Sequence, residues 1–299
     1  MEVGNKHREI IGFGSEQPCI LTDIRSRHHK FHGFDARFGW KVSKTCGTMS
    51  AGLGEKMASE RQHRLAIVEF GRLLHDNGFV AATDGNLSVR LDEHRLLVTP
   101  TYMSKGRMRP SDLVIVDIDG NRLAGKRNVS SEIGMHLLIY RLRPDVQGIV
   151  HAHPPTATGF AASGMDLNQP LVCEVVVGLG EIPLARYGTP GTPELAEALE
   201  PLVPAHDAIL MANHGVVTYG STLENAYMKM ETVEHFAHIA LVTHLLGRAQ
   251  PLGEKDVEKL WAVRHRYNGG GKCAPARTQA AGDDLRRETD PKETAGSRR

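Results

Sequence analysis

The chain has little that points to secretion, membrane insertion or a polyanionic partner. Its 299 residues hold four cysteines, Cys19, Cys46, Cys173 and Cys273, and none forms a Cys-x-x-Cys pair. Neither a disulfide framework nor a cysteine-rich metal knot is therefore expected. No run of about 18 apolar residues is present, which argues against a transmembrane helix. No apolar stretch near the start resembles a signal peptide. Charge of one sign is lacking as well: 36 Lys plus Arg stand against 35 Asp plus Glu, so no global field recruits nucleic acid or an anionic membrane. A reducing cytoplasm is the expected setting and a small molecule the expected partner. Internal repeats are also missing. What is there, 40% hydrophobic residues in 32.8 kDa, can build a sizeable core in one large domain or two small ones.

Residues 1–56 mix Gly with scattered charge, including Arg25, Arg27, His28, His29 and Lys30, and show little periodic apolar pattern. They read as a poorly ordered extension; the alternatives are a basic arm for a polyanion or sequence upstream of a start at Met57. Organised sequence begins at Ser59. Ser59-x-x-Gln62 has capping-box form, and Ile67, Phe70, Leu73 and Leu74 recur at helical spacing until Asn77-Gly78. Short strands are expected over 87–91, 96–99 and 113–117, then a helix over 131–141 and a strand over 146–150. Further on come a strand over 171–177, a helix opened by Thr192-Pro193-Glu194, and a strand over 208–211. Ser221-x-x-Glu224 leads a long helix with Met230, Val233, Ala237 and Leu241 on one stripe. Beyond Asn268-Gly269-Gly270-Gly271 the chain turns polar and rich in Pro, Gly and charge, which predicts a disordered tail over 268–299. This interleaving predicts an α/β fold over residues 57–267, a three-layer α/β/α sandwich around a mostly antiparallel or mixed sheet.

Histidine carries the clearest chemistry. His151-Ala152-His153 closes the apolar run Gly148-Ile149-Val150, and a second apolar run ends in Asn213-His214-Gly215. Side chains two apart on a strand share a face, so both rings of a His-x-His pair can grip one cation through neutral nitrogens. A third imidazole completes a common zinc set with one position left open. Glu132, in Ser130-Ser131-Glu132 just upstream, can add a carboxylate. Other His-x-His scaffolds fit less well. A binuclear metallohydrolase would want Asp at 155 and His at 156, where this chain has Pro155 and Thr156, and an amidohydrolase would carry its pair near the start of a barrel. His235 and His238, three apart on the long helix, read as surface or packing residues, and His136 as a satisfied structural histidine.

Two segments suit an oxyanion. Thr83-Asp84-Gly85-Asn86 is a glycine-bearing turn between a helix and a strand, and Ser130-Ser131 stands where a helix begins. Backbone N–H groups, hydroxyls and the positive end of the helix dipole could hold a phosphate there without Lys or Arg. The plainer alternative is that Gly85 and Asn86 only shape a turn and Ser130 only caps a helix.

Six segments in order resemble the class II aldolase/adducin family, among whose enzymes is L-fuculose-1-phosphate aldolase. They are Gly85-Asn86-Leu87-Ser88-Val89-Arg90, Val98-Thr99-Pro100-Thr101, Ser130-Ser131-Glu132, His151-Ala152-His153, Ile182-Pro183-Leu184-Ala185-Arg186-Tyr187 and Asn213-His214-Gly215. The resemblance runs from about Ser59 to Tyr267. It implies one Zn²⁺, or another divalent metal, per subunit on His151, His153 and His214, with Glu132 as catalytic base and further metal ligand. It implies substrate phosphate on Gly85, Asn86, Thr101, Ser130 and Ser131. It also implies a homotetramer in which Tyr187 protonates an aldehyde oxygen from a neighbouring subunit and Tyr267 shapes the site.

The implied activity is that of an aldehyde-lyase of carbohydrate metabolism. Such an enzyme makes or breaks a carbon–carbon bond in a sugar phosphate through an enediolate whose charge a metal stabilises. Within the family, decarboxylases of 3-oxo sugar-acid phosphates generate a similar enediolate, and 4-epimerases of sugar phosphates carry Asp where Glu132 stands. An adducin-like, non-catalytic interaction module would be expected to lack the metal ligands. In one place the chain departs from the aldolases. They usually have Gly after Thr-Pro-Thr, whereas here Tyr102 must either turn away or narrow the pocket.

Overall fold

A computed structural model describes residues 59–267, with side chains as far as Arg264. The expected extension over 1–56, the alternative start at Met57 and the expected tail over 268–299 lie outside the described residues. The first helix, α1 (Glu60–Asp76), starts at the expected capping box. Ser59 Oγ accepts from Gln62 N at 3.3 Å, and Ser59 N–H donates to Gln62 Oε1 at 2.7 Å. The helix ends at Asn77, and Gly78 follows in the left-handed region at φ +72°.

Eight strands form one sheet: β1 (Asn86–Arg90), β2 (Arg95–Val98), β3 (Val114–Asp117), β4 (Arg122–Ala124), β5 (Gly148–Ala152), β6 (Leu184–Ala185), β7 (Ala208–Met211) and β8 (Gly215–Gly220). Their spatial order is β4-β3-β2-β1-β5-β8-β7-β6. Every neighbouring pair is antiparallel except β6 with β7, so the sheet is mixed and mostly antiparallel, as expected. Helices α2 (Ile133–Leu142), α3 (Pro155–Ala162), α4 (Cys173–Gly178), α5 (Pro193–Leu199), α6 (Leu223–Leu245) and α7 (Glu254–Tyr267) complete the fold. No helix among the described residues is long and apolar enough to cross a membrane.

Both faces of the sheet are covered. On one, Leu87, Val89, Leu97 and Val150 pack with Ile67 and Leu74 of α1, Phe160 of α3 and Val233 of α6. On the other, Leu96, Val98, Ile149 and Val217 meet Met135 and Ile139 of α2 and Leu195 of α5. Two covered faces explain why the central strands read as apolar runs rather than clean alternations. The alternation still assigns direction. Since Leu87 and Val89 face α1, Asn86 and Ser88 face α2, and since Val150 and Ala152 face α3, His151 also faces α2. Register sets Asn86 directly opposite His151.

Several local expectations change. The β-branched run over 171–177 is not a strand: residues 173–178 form α4, whose Val175 and Val176 are buried. Tertiary packing here overrides the strand preference of valine. The strand expected over 146–150 sits two residues later and takes in His151. Helix α6 is capped by Thr222, whose side chain accepts from Asn225 N, one residue past the expected Ser221. Met230, Val233 and Ala237 of its stripe are buried while Leu241 is partly exposed. Strands β4, β6 and β8 and helices α3 and α7 carried too short or too weak a pattern to be expected.

Candidate metal centre and active site

The three histidines converge although His153 and His214 stand far apart in the chain. His151 comes from β5, the middle of the sheet, His153 from the residue just past that strand's end, and His214 from the tight turn joining β7 to β8. Their ring centroids are 4.9 Å (His151–His153), 4.8 Å (His151–His214) and 5.1 Å (His153–His214) apart. One ligand nitrogen from each lies within 4.8 Å of the others.

Local geometry explains the Asn-His-Gly sequence of the turn. Asn213 takes φ +56°, a left-handed conformation that asparagine tolerates better than most residues. A Cβ on Gly215 would stand 2.5 Å from His153 Cδ2 and 2.6 Å from Ala152 O, so only glycine lets the turn of the third histidine close on the other two. Gly85 plays the same part on the other side. It sits at φ +72°, and a Cβ there would meet Val80 Cγ1 at 2.6 Å and His151 O at 2.7 Å. Gly85→Ala is therefore expected to cost at least about 2 kcal/mol of stability in denaturant unfolding, from left-handed strain plus overpacking. An unchanged midpoint would show that the turn relaxes freely.

The ring nitrogens are oriented for a cation. His151 Nδ1 donates to Val216 O at 2.9 Å, which turns its Nε2 toward Glu132 and His153. His153 Nδ1 stands 3.5 Å from Asp84 Oδ2, and its Nε2 lies 3.1 Å from His151 Nε2. Two ring nitrogens this close repel unless a proton or a cation lies between them. Burial, with His151 and His214 nearby, brings the His153 pKa down to about 3, so its ring is neutral near pH 7, the form a metal needs.

Glu132 occupies the N-cap position of α2. Its Oε2 accepts from Asn86 Nδ2 at 2.7 Å and stands 3.4 Å from His151 Nε2. Its Oε1 approaches His214 Nε2 at 3.0 Å but is buried without an aligned hydrogen-bond partner. Burial would lift this carboxyl, but His151 and His214 outweigh it and hold Glu132 well below the usual carboxylate range. His151 shows the converse: burial works against its charged form, and Glu132 overturns that and raises it. Three imidazoles and a carboxylate with one orphaned buried oxygen are a donor set that suits a divalent metal.

Of the expected phosphate residues, Asn86 reaches Glu132, the neighbour of Ser131. Pro100 bridges to Val129 in antiparallel register, and Thr101 N–H donates to Asn128 O at 3.1 Å, which sets Thr101 opposite Asn128, two residues before Ser130. Ser130 Oγ accepts from Glu132 N at 3.3 Å, a turn bond to the residue two ahead rather than the helix cap of the plainer alternative, since Glu132 itself holds the N-cap position. Asn86 is buried, and beyond Glu132 its Oδ1 meets His136 Nε2. Tyr102 resolves the departure from Gly after Thr-Pro-Thr. It takes φ +53°, the conformation glycine favours, at a cost of roughly 1–2 kcal/mol, and its side chain is 88% exposed, turned away into solvent. Tyr187 follows β6 and is 53% exposed. Tyr267 ends α7, and its side chain lies outside the described residues. His235 and His238 are exposed on α6.

Lys105 is buried, and its Nζ donates to Thr83 O at 2.8 Å and Met103 O at 2.7 Å, tying the Gly85 turn to the segment after Thr101. Burial pulls its pKa down to about 8, against the opposing pull of Asp84 and Glu132. A lone lysine in a polar loop carries no periodic or motif signal, so only the fold reveals it.

Comparison with known proteins shows which family the chain resembles. The Class II Aldolase and Adducin N-terminal domain matches residues 65–241. The 5-deoxy-D-ribulose 1-phosphate aldolase of Bacillus thuringiensis serovar kurstaki is 33% identical over 202 residues, 67% of this chain and 94% of that protein. The 3-oxo-tetronate 4-phosphate decarboxylase of Haemophilus influenzae is 37% identical over 177 residues, 58% of this chain and 84% of that protein. Among solved structures, an L-fuculose 1-phosphate aldolase superposes with a TM-score of 0.65 at 30% identity, covering 72% of this chain and 100% of that one. The chain belongs to the class II aldolase and adducin family.

Proposed function

We propose that the protein is a divalent-metal-dependent lyase, with Zn²⁺ the favoured ion, that makes or breaks a carbon–carbon bond beside the carbonyl of a phosphorylated sugar. The observation that carries this reading is a carboxylate held on one oxygen by Asn86 while its other oxygen stands 3.0 Å from His214, beside a cluster of three imidazoles. A cation bound by His151, His153 and His214 supplies Lewis acidity toward oxygens that gain negative charge next to the reacting carbon. Glu132 moves the proton at that carbon, a role worth about 10²–10⁴ in rate.

Thr101, Ser130, Ser131 and the Gly85-Asn86 turn hold the phosphate. Asn86 spends one Nδ2 hydrogen on Glu132 and keeps the second for an oxyanion. Binding energy gathered at the phosphate orients the reacting carbons. Residues 57–267 form the catalytic unit of a cytoplasmic homotetramer, in which Tyr187 and Tyr267 serve sites completed between subunits.

A second reading, a 3-oxo sugar-acid phosphate decarboxylase, is favoured by the 37% identity to the Haemophilus influenzae decarboxylase. Loss of CO₂ also leaves negative charge beside a carbonyl, so the same residues serve. Product analysis with metal-reconstituted protein and a panel of phosphorylated ketoses and 3-oxo sugar-acid phosphates separates them. An aldehyde together with dihydroxyacetone phosphate is expected. CO₂ alone would transfer the function to the decarboxylase reading, and an epimer alone would overturn both.

A further inference from the structure

We infer that Tyr140, Ser88 and His136 form a buried one-way hydrogen-bond chain that acts through Asn86 to position Glu132, holding it by Oε2 and leaving Oε1 turned toward the histidine cluster. The inference rests on the reading of Glu132 as the base and goes beyond it by naming the residues that orient it.

Two periodicities create the chain. Asn86 and Ser88 are two apart on β1 and share the face toward α2. Glu132, His136 and Tyr140 are four apart and share one side of α2 and its N-cap. The two rows alternate. Tyr140 Oη meets Ser88 Oγ at 2.9 Å, Ser88 Oγ meets His136 Nδ1 at 2.6 Å, His136 Nε2 meets Asn86 Oδ1, and Asn86 Nδ2 meets Glu132 Oε2 at 2.7 Å. Asn86, Ser88, His136 and Tyr140 are all buried.

Only one arrangement of hydrogens satisfies these contacts. A carboxylate accepts, so Asn86 must present its N–H₂ to Glu132 and its carbonyl to His136. His136 must then carry a hydrogen on Nε2. The ring touches only neutral partners and is fully buried, and burial brings its pKa down to about 3, so it is neutral and Nδ1 is an acceptor. Ser88 must spend its one hydrogen on Nδ1, which obliges Tyr140 to donate to Ser88. Tyr140 is suited to donate: burial pushes its phenol well up, and the Arg90 guanidinium lies 4.7 Å from its ring centre.

Reversing any link would orphan a buried donor or acceptor, at about 1–3 kcal/mol each. The Asn86 amide therefore cannot flip, and Glu132 Oε2 always faces an N–H. Oε1 is thereby left turned toward His214. Ser88, His136 and Tyr140 touch no reacting atom in this scheme; they are positioning residues.

The test begins with the full chain, selectively ¹⁵N-labelled at histidine. His136 is expected to show the neutral Nε2–H tautomer, unchanged across the range where ordinary histidines titrate. Kinetics then compare two variants. His136→Leu removes the donor to Asn86 and is expected to lower kcat by at least about tenfold, the low end for residues that orient a site's groups from behind, with KM and metal content held. His136→Gln keeps an N–H toward Asn86 and is expected to restore most of kcat. A neutral Nδ1–H tautomer, a doubly protonated ring, or wild-type kcat in a folded, metal-loaded His136→Leu would overturn the inference. Should His136→Leu fail to fold, the tautomer in the unmodified chain still decides. Normal proton exchange in Glu132→Gln would instead remove the base reading, while the tautomer of His136 stands or falls separately.

Discussion

Glu132→Gln is expected to lower isotope exchange at the substrate carbon by at least about 10², the low end for a general base, while leaving fold and metal content intact. Glutamine has the shape of glutamate, so the pocket next to His151 and His214 is not emptied. Its amide oxygen still accepts from Asn86 Nδ2, the orientation the buried chain demands. That choice turns the amide nitrogen into the place of Oε1, where a basic lone pair is replaced by two hydrogens. The variant thus removes the base from the one oxygen free to act. Exchange of solvent deuterium into dihydroxyacetone phosphate, followed by NMR or mass spectrometry without any aldehyde partner, reads this step separately from bond cleavage. Near-normal exchange would move the proton to some other group.

His151→Ala carries the second large expectation: metal content falls from near one ion per chain to near none, and activity goes with it. His151 is fully buried, its Nδ1 is tied to Val216 O, and its Nε2 faces both His153 and Glu132. Metal analysis of protein purified without a His tag gives the direct measurement. Thermal unfolding gives an independent one. At a hundredfold excess of metal over its Kd the parent chain gains about 2.7 kcal/mol, because the cation binds the folded state, and His151→Ala should gain far less. The absence of stoichiometric metal in the parent, or an equal gain in the variant, would refute the metal centre as drawn.

The two variants separate roles that lie within a few ångströms. Loss of metal with His151→Ala but not with Glu132→Gln would assign the holding of the cation chiefly to imidazole and proton transfer to the carboxylate. Loss of metal in both would make Glu132 a ligand first.

Particular residues show how far the sequence could be read. The Ser59 cap and the repeat through Leu74 were legible because a helix start depends on neighbours three and four residues away. His151 and His153 were legible as a pair because strand alternation alone puts them on one face. Their union with His214 was an expectation drawn from kind and order of residues, and the rings do converge to about 5 Å. Tyr102 was legible as an anomaly but not as a solution. Its outward turn follows from a left-handed backbone that no neighbouring residue announces.

Asn86 and His136 mark the limit. Sequence alone suggests Asn86 as a phosphate residue and His136 as a satisfied histidine, and no local pattern links the two to Glu132. The contacts span 46 residues from Asn86 to Glu132 and 48 from Ser88 to His136. Lys105, tied across 22 residues to Thr83, is the same kind of case.

By itself the sequence determined which segments are helix or strand wherever caps and periodicity act locally, and which residue types were on hand for chemistry. The tertiary structure alone decided that a valine-rich run becomes α4 and that a tyrosine, a serine, a histidine and an asparagine line up behind one carboxylate. Those outcomes depend on burial and on the direction of each hydrogen bond, and both are set by partners that chain connectivity keeps far apart until the sheet and α2 close on each other.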